Sequence, residues 1–196
     1  MTRQAWVNGV YVAAEEAKIS PFDRGFLFAD GVYEVTAIYN GRTVDMERHL
    51  YRLERSLREL KFGTMPDRKE LEEVHRRLAT DNGITEGYVY LQVTRGAYGA
   101  RDFVAPDKPK LTCFAYAESR PLIDTLAARN GTRVISVPDI RWSRRDIKSV
   151  GLLAQALAKT EAKAQGVDDA WLVAPDGFVT EGASSNAWIV TTEGEI

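Results

Sequence analysis

One lysine of the 196-residue chain, Lys148, lies where a nucleophilic amine is expected. It stands between Ile147 and Ser149, after a strand predicted over 133–137 and before a helix predicted over 150–165. Partial burial of a lysine favours the neutral amine, which is the form that attacks a carbonyl carbon. The residues alone are more typical of a solvated lysine in a basic loop, and the catalytic interpretation stays open beside that one.

A second polar segment, at 179–186, favours the catalytic interpretation. It places Glu181 before Gly182, and the side chains of Ser184, Ser185 and Asn186 follow closely. Taken alone, a carboxylate ahead of a glycine is typical of a surface turn. The presence of this segment and Lys148 in one chain favours a catalytic role for the lysine.

A loop at 95–106 is the third candidate region. It joins two predicted strands and is long for such a connection, and long loops without structure of their own are often functional or mobile. Its arginines, Arg95 and Arg101, can each hold a carboxylate through two parallel hydrogen bonds. Solvated surface charges are an equally good explanation of the same two residues.

Composition narrows the class of protein. A hydrophobic fraction of 44% and a charged fraction of 28% are ordinary for a globular protein. A formal net charge of -2 gives no electrostatic reason to expect nucleic acid or an anionic membrane as a partner. No apolar run approaches the ~20 residues of a spanning helix. The first residues lack the apolar core of a signal peptide, so we expect a cytoplasmic protein.

Cysteine and histidine are scarce. The single cysteine, Cys113, lies in an apolar run and cannot form an internal disulfide, so we expect a buried side chain. With only His49 and His75 beside it, the sequence does not favour a zinc site, and we expect no metal.

The first part of the chain predicts a sheet covered by two helices. Asn-Gly pairs at 8–9 and 40–41 predict two hairpins, and 20–25 is expected to be a loop. Asp45 is the expected N-cap of a helix whose leucines recur at helical spacing. The predicted helices are 46–60 and 68–81, and the later strands are 88–94 and 111–117.

The second part predicts strands around the helix that follows Lys148. Strands are expected at 170–174, 178–180 and 187–191, with a final hairpin turn at 192–194. These elements predict an N-terminal α/β domain (1–119), a linker (120–131) and a C-terminal domain (132–196). Because only two residues follow the last turn, we expect the sequence to be incomplete within its second domain.

Several motifs occur together and in order, and they carry a family resemblance. They are Asp-Arg-Gly-Phe-Leu-Phe-Ala-Asp-Gly-Val-Tyr-Glu (23–34), His-Leu-Tyr-Arg-Leu (49–53), Gln-Val-Thr-Arg-Gly (92–96), Asp-Ile-Arg-Trp (139–142), Asp-Ile-Lys (146–148) and Thr-Glu-Gly-Ala-Ser-Ser-Asn (180–186). The set resembles the class IV aminotransferases, the fold-type IV pyridoxal-phosphate enzymes, and most of all the D-amino-acid aminotransferases. The resemblance implies a two-domain α+β fold, with an N-terminal α/β sandwich and a C-terminal pseudo-barrel that is incomplete here.

The resemblance also implies the cofactor residues. Lys148 would carry pyridoxal 5'-phosphate as a Schiff base and, once freed, would move the substrate proton. Glu181 would face the pyridine nitrogen, and Arg52 would bind the phosphate. The resemblance places Ser184, Ser185 and Asn186 around the ring and phosphate.

Substrate residues follow from the same resemblance. Tyr33 would line the pocket and hold a carboxylate. D-amino-acid aminotransferases often carry Arg-x-His in the loop after Thr-Arg-Gly, whereas this chain has Arg101 with a phenylalanine at the histidine position. We therefore expect Arg95 or Arg24 to replace the missing ligand. Because this loop reaches the neighbouring subunit's active site in the family, a homodimer is implied.

The implied function is ping-pong transfer of an amino group from a D-amino acid to a 2-oxo acid. Branched-chain L-amino-acid aminotransferase and aminodeoxychorismate lyase are the alternatives that share the fold and the lysine. An inactive fragment is a further alternative, because the family continues past Ile196 with a segment that completes the phosphate site. The basic cluster at 141–145 adjoins Lys148 and does not favour a nucleic-acid partner.

Overall fold

The structure, a computed structural model, describes residues 3–196, and the chain divides into two compact units. Unit 1 comprises the chain up to Ile123 together with Asp146–Gly151, and unit 2 comprises Asp124–Arg145 and Leu152–Ile196. The first two residues, with which the predicted N-terminal domain begins, lie outside the described residues. The predicted boundaries at 119 and 131 stay predictions.

Unit 1 is built on a six-stranded antiparallel sheet with three helices. The strand order is β2-β1-β6-β5-β3-β4. The strands are β1 Gln4–Val7, β2 Val10–Ala13, β3 Gly31–Tyr39, β4 Arg42–Thr43, β5 Glu86–Thr94 and β6 Thr112–Ser119, and the helices are α1 Arg24–Phe28, α2 Met46–Glu59 and α3 Arg68–Asp81, with a 3-10 turn at Ala14–Glu16.

Both predicted hairpins are confirmed, and their turns show why. Asn8 and Gly9 have φ of 50° and 89°, and Asn40 and Gly41 have φ of 50° and 71°. Positive φ at both central residues gives a two-residue turn whose twist matches that of the flanking strands. Asparagine and glycine tolerate this conformation better than other residues.

The core of unit 1 lies between one face of the sheet and the leucine stripes of α2 and α3. Along β3, inward and outward residues alternate, so that Val32 and Ile38 are fully buried while Tyr33 lies on the other face. The largest fully buried side chains of the helices are Leu50, Leu53, Leu57, Leu71 and Leu78. Cys113 is buried and free, as expected.

Two local expectations for unit 1 are corrected. Asp45 precedes α2, but it adopts φ 52° and its side chain caps no backbone N–H. A capping residue has an extended backbone, which Asp23 and Asp67 adopt and Asp45 does not. The segment predicted as a loop at 20–25 already begins helix α1 at Arg24. Asp23 starts this helix by accepting a hydrogen bond from the Gly25 N–H (2.8 Å).

Unit 2 contains a three-stranded sheet and two helices. The strands are β7 Val134–Pro138, β8 Asp169–Val173 and β9 Val179–Gly182, and the helices are α4 Leu126–Asn130 and α5 Leu153–Ala164. β7 and β8 are parallel, whereas β8 and β9 are antiparallel. Small residues of α5, Ala158 and Ala162, pack on β8 and form a compact core with Leu172.

The strand predicted over 187–191 is wrong, because these residues form no strand in the structure. A strand needs a neighbour to take up its backbone groups, and no described strand pairs with this segment. The turn predicted at 192–194 is present, with Thr191 N–H donating to the Glu195 carbonyl at 2.8 Å. Among residues 3–196, no helix is long and apolar enough to cross a membrane.

The starts of helices α2 and α3 allow a matched stability test. Asp67 accepts a hydrogen bond from the Glu70 N–H at 2.8 Å. We expect Asp67→Ala to lower the free energy of unfolding by about 1 kcal/mol because a capping acceptor is lost. Asp45→Gly should lower it by less than about 0.5 kcal/mol, since glycine adopts positive φ readily. Urea unfolding of both variants measures the two free energies of unfolding. An equal decrease in both would contradict the capping role of Asp67.

Candidate active site

The Lys148 segment, Asp146–Gly151, is held to strand β3 by main-chain hydrogen bonds. Tyr33 N–H donates to the Lys148 carbonyl at 3.0 Å, and Val150 N–H donates to the Gly31 carbonyl at 3.1 Å. Ile147 is buried in the core of unit 1, with 3% of its surface exposed. The backbone on both sides of the lysine is therefore fixed, and the side chain is aimed from a rigid base.

The Lys148 amine lies against Tyr33. Its Nζ donates to the Tyr33 hydroxyl at 3.2 Å and lies 4.3 Å from the centre of the same ring. The Tyr33 ring in turn stacks on Tyr90 at 5.6 Å between centroids. Lys148 is half-buried. This environment orients one amine beside a hydroxyl that can also bind a ligand carboxylate.

Arg52 is oriented by a buried carboxylate, Glu34. The Arg52 Nε and Nη2 donate to the two Glu34 oxygens at 2.7 and 2.6 Å, and His49 Nδ1 lies 2.7 Å from Glu34 Oε2. The Glu34 side chain is 1% exposed, whereas that of Arg52 is 44% exposed. The remaining nitrogen, Nη1, is not part of this pair. Arg52 is thus a fixed guanidinium that still faces solvent.

Glu34 is anionic in this setting despite its burial. Burial raises the pKa of Glu34, but hydrogen bonds from Arg52 and His49 outweigh it and hold the pKa below its ordinary value. Glu34 lies within the motif at 23–34, and no role was predicted for it. Its position on the inward face of β3 was the available signal, because a charged residue in a core position requires a partner.

Arg24 and Arg95, the two predicted replacements for the missing ligand, are both buried and both bind Asp30. Their Nε atoms lie 2.7 and 2.8 Å from the same oxygen, Asp30 Oδ2. Their other donors are directed at main-chain carbonyls rather than into a pocket. The structure therefore shows these two arginines bound to protein groups.

Arg101 has a different environment. It is exposed, and its guanidinium carbon lies 5.2 Å from the ring centre of Phe28 and 4.8 Å from that of Phe103. Stacking on ring faces leaves the edges of a guanidinium available for a carboxylate. Of the three candidate arginines for substrate, Arg101 has the arrangement best suited to direct contact.

Unit 2 surrounds Glu181 with a second ion-pair cluster. Arg141 bridges two carboxylates by donating to Asp139 at 2.8 Å and to Glu181. Asp139 also accepts from Arg145 at 2.6 Å and from the Thr180 hydroxyl at 2.8 Å. Hydrogen bonds from Arg141 above all hold the pKa of Asp139 well below its usual range, against the opposing effect of burial.

The side chains after Glu181 form a tight turn. Gly182 N–H donates to the Ser185 carbonyl at 2.8 Å, and a Cβ on Gly182 would lie 2.3 Å from the Ser185 hydroxyl. Ser184 and Ser185 hydroxyls lie 3.3 and 3.5 Å from Asp169 Oδ2, and Asn186 is exposed. The turn collects polar groups near Glu181 within unit 2.

Sequence reasoning missed the residues that hold the candidate site residues in place. Asp30 and Glu34 bind candidate arginines, whereas Asp139 binds Arg141, which in turn donates to Glu181. All three carboxylates lie within the motifs of the family resemblance. No cluster of His, Cys, Asp and Glu suited to a metal ion occurs among residues 3–196.

Comparison with known proteins identifies the family. A model of the family described as "Amino-transferase class IV" matches residues 31–196. A D-alanine aminotransferase of Staphylococcus epidermidis is 36% identical over 189 residues, which are 95% of this chain and 66% of that protein. The chain thus spans slightly less than two thirds of the length of this curated relative.

Solved structures show the same fold. The branched-chain amino acid aminotransferase of Escherichia coli superposes with a TM-score of 0.82 at 20% identity, over 93% of this chain and 63% of that one. A T.th. branched-chain amino acid aminotransferase, solved with pyridoxamine 5'-phosphate, gives a TM-score of 0.80 at 25% identity over 93% and 63%. This likeness confirms the predicted α+β architecture of fold type IV.

The buried carboxylate under Arg52 generates a pH prediction. Glu34→Gln should lower the free energy of unfolding at pH 7 by about 1–3 kcal/mol, because a buried acceptor of charged donors is lost while Arg52 stays partly solvated. Since folding lowers the Glu34 pKa, its contribution is complete above about 4.5, its value outside the fold, and fades as pH falls through the lower folded value.

Urea unfolding between pH 7 and pH 3 measures this contribution. The difference in the free energy of unfolding between wild type and Glu34→Gln should become smaller below pH 4.5. Glu73→Gln is the matched control, since Glu73 forms its pair with Arg76 on the exposed surface of α3, and it should leave stability unchanged. A difference that stays constant across the range would contradict the ionised, paired state of Glu34.

Proposed function

Because the chain belongs to the class IV aminotransferase family, we propose that it transfers the amino group of a D-amino acid to a 2-oxo acid in two half-reactions. The observation that carries the proposal is the Lys148 amine, which is fixed through its backbone to β3 and through its Nζ to Tyr33. The D-alanine aminotransferase likeness, at 36% identity over 95% of the chain, supports the D-amino-acid assignment.

Pyridoxal 5'-phosphate is the proposed cofactor, and the donor set fits it. When bound, the cofactor supplies an aldehyde for a lysine amine and a ring that accepts the electron pair released with the substrate α-proton. Arg52 would hold the phosphate, because a partly exposed guanidinium held in one orientation by Glu34 suits a dianion. Lys148 would be the attachment point.

Glu181 is the proposed partner of the cofactor's ring nitrogen. Its carboxylate would accept a hydrogen bond from that nitrogen in the protonated state, while Arg141 restrains its orientation from the other side. Ser184, Ser185 and Asn186 would donate to the ring and phosphate from the turn that follows. These assignments rest on the family motif together with the polar turn in unit 2.

Lys148 would also move the proton of the substrate α-carbon. A free amine acts as a base when it lies within hydrogen-bonding reach of the proton it removes. The Tyr33 hydroxyl, 3.2 Å from Nζ, would orient that amine and contribute to holding the substrate carboxylate. Arg101 would supply a second contact to the carboxylate, and Arg95 and Arg24 are the remaining candidates for that role.

We further propose a homodimer in the cytoplasm. Tyr33, Tyr90 and Tyr116 form a half-buried stacked row on the face of the sheet opposite the helices, with centroid distances of 5.6 and 5.3 Å. Such an aromatic surface suits association with a second copy. The proposed location follows the expectation from the sequence, and the single cysteine, Cys113, is buried and free.

The substrate assignment is tested by kinetics. With 2-oxoglutarate as acceptor, we expect the purified protein to use D-alanine and to use L-leucine at least about 100-fold less efficiently, measured as kcat/KM. A preference for L-leucine would favour the branched-chain alternative. Inactivity towards both amino acids would contradict the proposal and favour the lyase.

The lysine is tested in the same assay. Lys148→Ala should lower kcat with D-alanine by at least about 100-fold, because the nucleophile and base are removed together. Lys69→Ala is the control, since Lys69 lies on the exposed side of α3, and it should retain wild-type kinetics. Full activity of Lys148→Ala would rule out the assigned role.

A further inference from the structure

Asp30 joins two buried arginines that reach different parts of unit 1. The side chains of Arg24 and Arg95 are 9% and 7% exposed, and both donate through Nε to Asp30 Oδ2. Two cations buried on one carboxylate carry a net positive charge, which further acceptors must offset. The main chain supplies those acceptors.

Arg24 directs its remaining donors at three consecutive carbonyls of the long loop. Nη1 donates to the carbonyl of Asp102 at 2.5 Å and to that of Val104 at 3.4 Å, while Nη2 donates to that of Phe103 at 3.1 Å. The side chains of Phe103 and Val104 are themselves 73% and 77% exposed. Arg24 thus holds the backbone of the loop at 102–104, while Phe103 and Val104 remain exposed.

Arg95 makes the same hydrogen bond to Asp30, but its other donors bind a different part of unit 1. Its terminal nitrogens donate to the carbonyls of Leu60 and Lys61, at 2.7 and 3.1 Å, and its guanidinium carbon lies 4.1 Å from the ring centre of Phe62. These residues follow the end of helix α2. Arg95 therefore shares the carboxylate with Arg24 without holding residues 102–104.

We infer that Arg24, held by Asp30, is a positioning residue that sets the place of Arg101 and thereby the affinity for the substrate carboxylate. This inference rests on the proposed function for what the loop binds. Arg101 stacks on Phe103, whose carbonyl Arg24 holds, and on Phe28 of the helix that carries Arg24. Arg24 therefore affects substrate binding indirectly, because it holds the loop that carries Arg101.

The anchoring through main-chain carbonyls leaves the side chains of the loop free to vary. Because Arg24 binds only carbonyl oxygens at 102–104, it is insensitive to the side chains at these positions. Phenylalanine can therefore replace the histidine of related enzymes at position 103 without loss of the anchor. Lysine cannot take the place of Arg24, since one ammonium cannot reproduce a planar fork of donors.

The test compares Arg24→Lys with Arg95→Lys in the full-length holoenzyme. Chymotrypsin cleaves after exposed aromatic residues, and cleavage between Phe103 and Val104 requires release of the Phe103 carbonyl from Arg24. We expect Arg24→Lys to accelerate this cleavage at least about tenfold, because local opening becomes easier. Cleavage after the exposed Phe178 of unit 2 should keep its wild-type rate. Arg95→Lys should leave both rates within about threefold of wild type.

Kinetics supply the second readout. Arg24→Lys should raise the KM for D-alanine at least about tenfold and change kcat by less than about threefold, because substrate binding is weakened more than the chemical step. The kinetic control is Arg77→Lys, whose side chain pairs with Asp81 on the surface of α3, and it should change neither by more than about threefold. Unchanged cleavage after Phe103, unchanged KM, or equal acceleration of that cleavage by Arg24→Lys and Arg95→Lys would each overturn the inference. If wild type shows no transamination, the proposed function fails, whereas the cleavage rate still decides whether Arg24 holds the loop.

Discussion

The candidate active site depends on the main-chain pairing between residues 146–151 and the beginning of strand β3. Two backbone hydrogen bonds and the burial of Ile147 fix this segment in unit 1, although the residues on either side of 146–151 belong to unit 2. The same strand presents Tyr33 to the lysine amine on one face and Glu34 to Arg52 on the other. One strand therefore organises the proposed nucleophile and the proposed phosphate ligand.

Buried carboxylates shared between two cationic or donor side chains recur throughout the structure. Glu34 binds Arg52 and His49, and Asp30 binds Arg24 and Arg95. Compared with an apolar replacement of the whole pair, such pairs contribute little net stability, because desolvation offsets most of the attraction, whereas removal of one partner alone is destabilising. Their value here is geometric, since each fixes a long, flexible side chain or loop in one orientation. Pre-organisation of this kind is what a binding site for anionic ligands requires.

The sequence predicted what short-range chemistry determines. Both Asn-Gly hairpins and the two leucine-striped helices follow from turn conformation and periodicity, and the ordered motifs identified the family. The partners of Arg24 were not predicted, because its hydrogen bonds join residues up to 80 positions apart. The cap expected at Asp45 is absent, because capping depends on a backbone conformation that residue type alone does not determine. The strand expected at 187–191 failed since apolar, β-prone residues also need a neighbouring strand.

The most direct measurement of the central claim is borohydride reduction of the purified holoenzyme, followed by mass spectrometry of its peptides. The account predicts a stable pyridoxyl group on the peptide that contains Lys148, with loss of the visible absorption band of the bound cofactor. It predicts no such group on other lysine peptides. A modified peptide that excludes Lys148, or a protein that takes up no pyridoxal phosphate and stays colourless, would contradict the account.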